Sequence, residues 1–83
     1  MTARVLYKAS IAKDLKKVNP SDKRRILQQI EETLGSDPRS GEALHGEFEG
    51  LFKLRIGDYR VIFALVGEDV LVLRIRHRST AYG

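Results

Sequence analysis

The stretch LFKLRIGDYRVIFALVGEDVLVLRIR, residues 51–76, decides the fold. It contains three runs of β-branched, aromatic and other apolar residues, and two short segments with glycine and aspartate separate them. The runs cover 51–56, 59–66 and 70–76, and the turns fall at Gly57-Asp58 and around Gly67 to Asp69. Because such short connections join antiparallel neighbours, the stretch predicts a three-stranded meander.

The residues before the meander predict one further strand and two helices. Residues 3–7 are typical of a strand, and residues 11–17 place apolar side chains at helical spacing. A second helix is expected to begin at Pro20, whose fixed φ suits the first helical position, with Asn19 as its cap. Its apolar positions keep the helical period as far as Gly35, which is expected to end the helix in the left-handed conformation.

The order of these elements gives the fold class. Residues 36–50 contain several glycines and a proline and are expected to form a loop. The chain then reads β-α-α-β-β-β, which predicts an α+β fold with a two-helix hairpin packed on one face of a mainly antiparallel, twisted sheet. We expect residues 1–83 to form a single small domain, because 83 residues suffice for one core and not for two.

The amino-acid composition excludes several classes of functional site. The sequence has 15 basic and 11 acidic residues, for a net charge of +4, and no cysteine. The lack of cysteine excludes a disulfide, a thiol nucleophile and a cysteine metal site. No apolar run approaches the roughly 20 residues that span a membrane, so a cytoplasmic protein without a membrane partner is expected. A folded basic domain favours a polyanionic partner.

Strand alternation places much of the positive charge on one face. Side chains along a strand point alternately to opposite faces, so we assign the wholly apolar set of each strand to the helix side. In the third strand that set is Leu71, Leu73 and Ile75. The opposite face then receives five cations and no acidic residue, namely Lys53, Arg55, Arg60, Arg74 and Arg76.

Two interpretations of this basic face remain open. Antiparallel sheets commonly expose one face to water, so it could be an ordinary solvated surface. An ordinary surface, however, would interleave acidic residues to relieve the repulsion. Since arginine dominates the set and its planar guanidinium suits phosphate oxygens, the alternative is a site for an anion or a nucleic acid.

Two motifs resemble the RelE/ParE superfamily, the toxin half of bacterial and archaeal toxin–antitoxin pairs, and most closely its RelE branch. The first is GEALHGEFEGLFKLRIGDYRVIFAL, which contains the pattern R-x-G-x-Y-R at residues 55–60. The second is LRIRHRSTAY, in which Arg76 lies six residues before Tyr82. A short helical hairpin before the strands also fits the family. The match covers nearly the whole chain.

The resemblance implies an endoribonuclease that cuts ribosome-bound messenger RNA. In the RNA-cleaving members the ribose 2′-hydroxyl attacks the adjacent phosphate and leaves a 2′,3′-cyclic phosphate and a 5′-hydroxyl. By position, Arg60 is expected at the transferring phosphate and Arg76 at the 5′ leaving side. Lys53 and Tyr82 are expected to transfer protons or stabilise charge. Leu51 stands where the family has a further lysine.

The remaining site and partner assignments also follow the resemblance. RNA contacts around the catalytic residues are expected at Arg55, Arg74, Arg78 and His45. His77 falls on the core side by strand alternation, where a structural role is expected. The chemistry requires no metal or other cofactor. Expected partners are a cognate RelB-like antitoxin, the ribosome and messenger RNA, and the toxin–antitoxin complex is expected to bind operator DNA.

A non-catalytic function is the alternative. The fold is shared by RNA-cleaving toxins and by ParE-like gyrase inhibitors, and a toxin could also occupy the ribosome without cutting. The residue set Lys53, Arg60, Arg76 and Tyr82 separates these readings, because a pure binder has no reason to keep all four.

Overall fold

A computed structural model describes residues 3–80 and contains one five-stranded sheet with two helices. The strands are β1 (Val5–Tyr7), β2 (Glu42–Ala43), β3 (Leu51–Ile56), β4 (Tyr59–Val66) and β5 (Asp69–His77). The helices are α1 (Ile11–Lys16) and α2 (Pro20–Ser36), and single 3-10 turns cover Gly46–Phe48 and Arg78–Thr80. The sheet order is β1-β5-β4-β3-β2, in which only β1 and β5 run parallel. The predicted α+β class and meander are confirmed.

The beginning of α2 matches its sequence signals, whereas its end does not. Asn19 caps the helix, because its side-chain oxygen accepts a hydrogen bond of 2.9 Å from the backbone N–H of Asp22. The prediction that Gly35 ends the helix in the left-handed conformation is wrong. Gly35 is a buried helical residue without a positive φ, and the helix continues to Ser36. The carbonyl oxygen of Gly35 accepts a hydrogen bond of 2.8 Å from the backbone N–H of Ala3, and this bond joins the helix to the chain before β1.

The segment expected to be a loop contains the edge strand β2. Its two residues pair with β3, Glu42 opposite Lys53 and Ala43 opposite Phe52. Gly41 lets the chain approach β3 this closely. A Cβ added there would lie 2.5 Å from Cζ of Phe63 and 2.9 Å from the carbonyl oxygen of Lys53.

A β-bulge changes which residues of β5 enter the core. The register moves from Ile62 opposite Arg74 to Phe63 opposite Val72, so Leu73 has no partner on β4. The alternation therefore reverses at this point. Val70, Val72 and Ile75 are buried. The assignment of Leu71 and Leu73 to the helix side, with Val70 and Val72 opposite, is wrong.

The buried side chains of the sheet all lie on its helix-covered face. They form one cluster with apolar residues of the two helices, Ile11, Ile26, Ile30 and Leu34. The other face carries one apolar position from each of four neighbouring strands in register. We call this set the apolar row: Leu6, Leu71, Ala64 and Leu51. None of the four is fully buried.

Candidate functional site

Three arginines lie in register on three neighbouring strands. Arg55 of β3 is opposite Arg60 of β4, and Arg60 is opposite Arg76 of β5. We call them the arginine row. Directly opposed residues share a face, and this face is the one without helices. Because like charges directly opposite one another destabilise a sheet, an anion that binds across the row would relieve the repulsion.

The second row of the same face is mixed in charge. Lys53 is opposite Ile62 on one side and Glu42 on the other, and Ile62 is opposite Arg74. Nζ of Lys53 lies 3.7 Å from Oε2 of Glu42, whose side chain is 77% exposed. The prediction of five cations without an acidic residue among them is therefore wrong.

Arg74 is held at the edge of the sheet by an acidic residue of α1. Its Nε lies 3.2 Å from Oδ2 of Asp14, and the backbone N–H of Ile75 donates to the same oxygen at 3.0 Å. Strand β1 pairs only with residues 70–72, so Asp14 satisfies part of the β5 edge beyond it. Asp14 is only 11% exposed. The side chain of Arg74 is therefore paired with helix α1 and does not point freely into the middle of the basic face.

Arg78 lies beside the arginine row. Its backbone N–H donates to the carbonyl of Asp58 at 2.7 Å, and its Nε is 3.7 Å from Oδ1 of the same residue. A shallow depression of about 150 Å³ is lined by Arg78, Asp58, Arg55 and Arg60, among others. The turn between β3 and β4 thereby brings Arg78 together with two members of the row.

The structure does not bring His45 to the arginine row. Leu44 donates its N–H to the carbonyl of Leu51, so the exposed His45 lies beyond the first residue of β3. Arg55 is four residues further along that strand, roughly 13 Å away at the rise of a β-strand. Tyr82 lies outside the described residues.

Lys53 shares a second depression with the arginine row. It has a volume of about 190 Å³ and lies on the β2 side of Arg55 and Arg60. Its lining is Ser40, Glu42, Lys53, Leu54, Arg55 and Arg60. The two depressions flank Arg55 and Arg60 and are open to solvent, so a phosphate placed there could contact several cations at once.

Tyr59 and His77 form a structural contact under the row. Their rings meet edge to face with centroids 5.2 Å apart, and Tyr59 is buried. The predicted core-side position of His77 is confirmed. The Tyr59 hydroxyl lies 3.5 Å from Oδ2 of Asp22, and burial, with this carboxylate as a further cause, raises the pKa of Tyr59. Tyr59 therefore keeps its proton at neutral pH.

Sequence reasoning missed the acidic neighbours Glu42, Asp14 and Asp58. Asp58 is in the recognised turn, so its closeness to the cations of β3 and β4 could have been inferred from the turn itself. Glu42 and Asp14 reach the site through tertiary contacts for which the sequence has no local signal. Within residues 3–80, no three side chains of the metal-ligating types lie together and no helix is long and apolar enough to cross a membrane.

Comparison with known proteins places this chain among bacterial and archaeal toxins. A family model described as "ParE toxin of type II toxin-antitoxin system, parDE" matches residues 5–82. The curated toxin RelG of Mycobacterium tuberculosis is 33% identical, over 94% of this chain and 93% of RelG. Toxin RelE3 of Methanocaldococcus jannaschii is 28% identical, over 95% of this chain and 94% of RelE3.

The fold agrees with that of a solved toxin–antitoxin complex. One chain of the complex RelBE2 from Mycobacterium tuberculosis superimposes with a TM-score of 0.88 at 28% identity, over 95% of this chain and 94% of that one. Sequence and fold therefore lead to one assignment. The chain belongs to the ParE toxin family within the RelE/ParE superfamily, and it is a RelE-like toxin of a type II toxin–antitoxin system.

Proposed function

We propose that the protein is a ribosome-dependent endoribonuclease that cuts messenger RNA in the cytoplasm and so inhibits translation. The arginine row is the observation that supports this most directly. Arg55, Arg60 and Arg76 occupy directly opposed positions on one open face. Such a row binds the negative charge that develops on a phosphate under attack, which is the largest single contribution in many enzymes.

Each residue of the site has a role in this proposal. Arg60, in the middle of the row, binds the phosphate that is attacked by the neighbouring 2′-hydroxyl. Arg76 stabilises the charge on the 5′ oxygen that leaves. Lys53, at the β2 side, and Tyr82 transfer protons or stabilise charge. The reaction needs a base, an acid and positive charge, all of which side chains supply.

The flanking cations hold the RNA around the reacting phosphate. Arg55 and Arg78 line the depression beside Arg60. In this proposal they contact the neighbouring phosphates. Arg74 contributes only after its ion pair with Asp14 rearranges, because both groups of that pair are hydrogen bonded to each other. His45 contacts RNA only as a distant rim residue, since it lies at the other end of β3.

A RelB-like antitoxin is the proposed inhibitor. The open face has the apolar row at one end and the arginine row at the other, so a segment with both apolar and acidic side chains would cover the two together. The solved complex RelBE2 pairs a similar toxin chain with an antitoxin. The resulting toxin–antitoxin complex is also proposed to bind operator DNA.

Inhibition of DNA gyrase is the second candidate function. The family model that matches this chain is described by the ParE toxin, which favours this reading, whereas the curated relatives carry RelE-type names. A gyrase inhibitor and a ribosome blocker without nuclease activity would both bind their target and leave RNA intact.

One experiment separates these functions. The purified protein is added to ribosomes that carry a defined messenger, the new 5′ ends are mapped by primer extension, and gyrase supercoiling is assayed in parallel. We expect cuts within the messenger only when ribosomes are present, with unchanged supercoiling. Intact messenger together with inhibited supercoiling would replace the nuclease by the gyrase inhibitor.

Tyrosine ionisation tests the burial of Tyr7 and Tyr59. Burial, with Glu31 as a second cause, raises the pKa of Tyr7 to about 12, and burial also raises the pKa of Tyr59. We expect ultraviolet titration to show phenols that ionise above the ordinary tyrosine pKa, and Tyr7→Phe to remove the step near pH 12. A step near pH 12 that survives in Tyr7→Phe would contradict the burial of Tyr7.

The same pKa shifts predict that the fold loses stability at alkaline pH. The ordinary tyrosine pKa is near 10 and both folded-state pKa values lie above it. The contribution of the two protonated phenols to stability is therefore complete below about pH 10. It is lost as the pH rises through the folded-state values, so the titration is paired with circular dichroism to show where the protein remains folded.

A further inference from the structure

We propose that Lys17 binds the phosphate that follows the leaving nucleotide of the messenger, an inference that rests on the proposed function. The leaving nucleotide is the one whose 5′ oxygen departs from the attacked phosphate. Its own 3′ phosphate is the next negative charge along the RNA. Because Arg60 is assigned to the attacked phosphate and Arg76 to the departing oxygen, this next phosphate lies beyond Arg76.

A third depression lies at the end of the arginine row where that phosphate is expected. It has a volume of about 180 Å³, and its cations are Lys17, Arg74 and Arg76. Among the described residues, Arg60 lines the two depressions of the candidate site, and Arg76 lines this third one instead. The third depression is therefore a separate position for an anion, beside the member of the row assigned to the leaving oxygen.

Helix α1 brings Lys17 to this edge of the sheet. Asp14 of the same helix accepts hydrogen bonds from Nε of Arg74 at 3.2 Å and from the backbone N–H of Ile75 at 3.0 Å. Lys17 follows Asp14 by three residues, about one helical turn, and its backbone N–H donates to the carbonyl of Asp14 at 3.3 Å. The contacts that anchor α1 to β5 therefore also fix the backbone of Lys17 beside the depression.

The charges around the depression favour an anion. Lys17 is exposed, and within residues 3–80 neither Lys17 nor Arg76 takes part in an ion pair. Asp14 is the acidic residue of the lining, but it is only 11% exposed and is paired with Arg74. The flexible stem of lysine lets its ammonium group reach a phosphate in the depression, which would then receive charge-assisted hydrogen bonds from Lys17 and Arg76.

The order of these elements across the sheet matches the order of atoms in the RNA. Neighbouring strands are about 4.8 Å apart, so the attacked phosphate lies over β4 and the departing 5′ oxygen over β5. Strand β1 pairs only with residues 70–72 of β5. Next to Arg76, the neighbour of β5 is therefore helix α1, and a chain of RNA that continues in the same direction meets Lys17.

The test combines Lys17→Gln with a messenger in which the phosphate after the leaving nucleotide is replaced by a neutral methylphosphonate. Both messengers carry a 2′-deoxy leaving nucleotide at the mapped cleavage position, which keeps the methylphosphonate stable. Single-turnover cleavage on ribosomes is measured over a range of toxin concentrations. This design asks whether the effect of Lys17 depends on the charge of that one phosphate.

With the ordinary phosphate, we expect Lys17→Gln to raise the toxin concentration for half-maximal cleavage about three- to tenfold, the usual effect of one exposed charged contact. The maximal rate should stay near that of wild type, because the contact is the same before and during the reaction. With the methylphosphonate, wild type and Lys17→Gln should require the same concentration. Lys17→Arg keeps the charge and should stay within about twofold of wild type on the ordinary messenger.

Lys16→Gln is the matched control, since Lys16 is the preceding residue, is exposed and lies outside the described lining. It removes the same charge and should cleave both messengers like wild type. A defect of Lys17→Gln that is equal on both messengers, or the absence of a defect on the ordinary one, would overturn the proposal and leave the nuclease function intact. If wild type leaves unmodified messenger uncut on ribosomes, the proposed function fails and the phosphate site fails with it.

Discussion

Replacing Arg60 or Arg76 by alanine is expected to slow messenger cleavage about 100- to 1,000-fold, which is the usual loss when one donor to the transition state is removed. Both residues belong to the arginine row, where they oppose each other across β4 and β5. Neither side chain enters the apolar core, so the variants should fold. The measurement is the single-turnover rate on ribosomes saturated with the toxin, which separates the chemical step from binding.

Arg4→Ala is the control for these variants. It removes the same type of side chain, but Arg4 precedes β1, is 79% exposed and pairs with Asp69 at the start of β5. This position is seven residues before Arg76, so cleavage should stay within about threefold of wild type. Lysine in place of Arg60 should recover only part of the rate, because it keeps the charge and loses the bidentate geometry. Normal cleavage by both alanine variants would show that the reacting phosphate lies elsewhere.

The arginine row shows which part of the site can be derived from sequence. A two-residue turn at Gly57-Asp58 fixes the pairing of its neighbours, so Arg55 must oppose Arg60. The alternation within β5 from Ile75 onward is regular and places Arg76 on the same face. Turn length and strand alternation were sufficient to predict the face of a side chain wherever no β-bulge inserted an extra residue.

In the first half of β5, strand alternation fails to predict which side chains are buried. The apolar residues from Val70 to Leu73 follow one another without a polar residue, so alternation alone cannot decide which of them are buried. The bulge decides it, because the residue left without a partner at Leu73 reverses the faces. Its position depends on how β5 fits between β1 and β4, and that fit is a property of the folded core rather than of the local sequence.

Long-range contacts account for the acidic residues that the sequence did not place. Asp14 meets Arg74 across 60 positions of the chain, and no periodicity links them. Strand β2 has only two residues, too few for an alternating pattern, so the position of Glu42 follows from its pairing with β3. Both acidic residues pair with cations of the basic face, so the face is less positive than a count of its cations suggests.

Phe63→Ala is expected to lower the free energy of unfolding by about 3 to 5 kcal/mol, the range measured for buried aromatic residues. Phe63 is fully buried at the bulge, and its ring stacks on Phe52 with centroids 5.6 Å apart. The loss is a large fraction of the total stability of a domain of this size, which is about 4 to 12 kcal/mol. Urea denaturation followed by circular dichroism measures it.

The ring of Phe63 also contacts the chain next to the edge strand β2, which borders the candidate site. Its removal is therefore expected to affect this strand as well as the core. Gly41 lies directly against the ring, and the next residue is Glu42, so the ring holds β2 against β3. Phe48→Ala is the matched control, because Phe48 is 54% exposed and its loss should cost less than about 0.5 kcal/mol. A similar small cost for Phe63→Ala would contradict this arrangement of core and site. A large cost is expected because the ring of Phe63 packs both in the core and against Gly41, the residue before the edge strand β2.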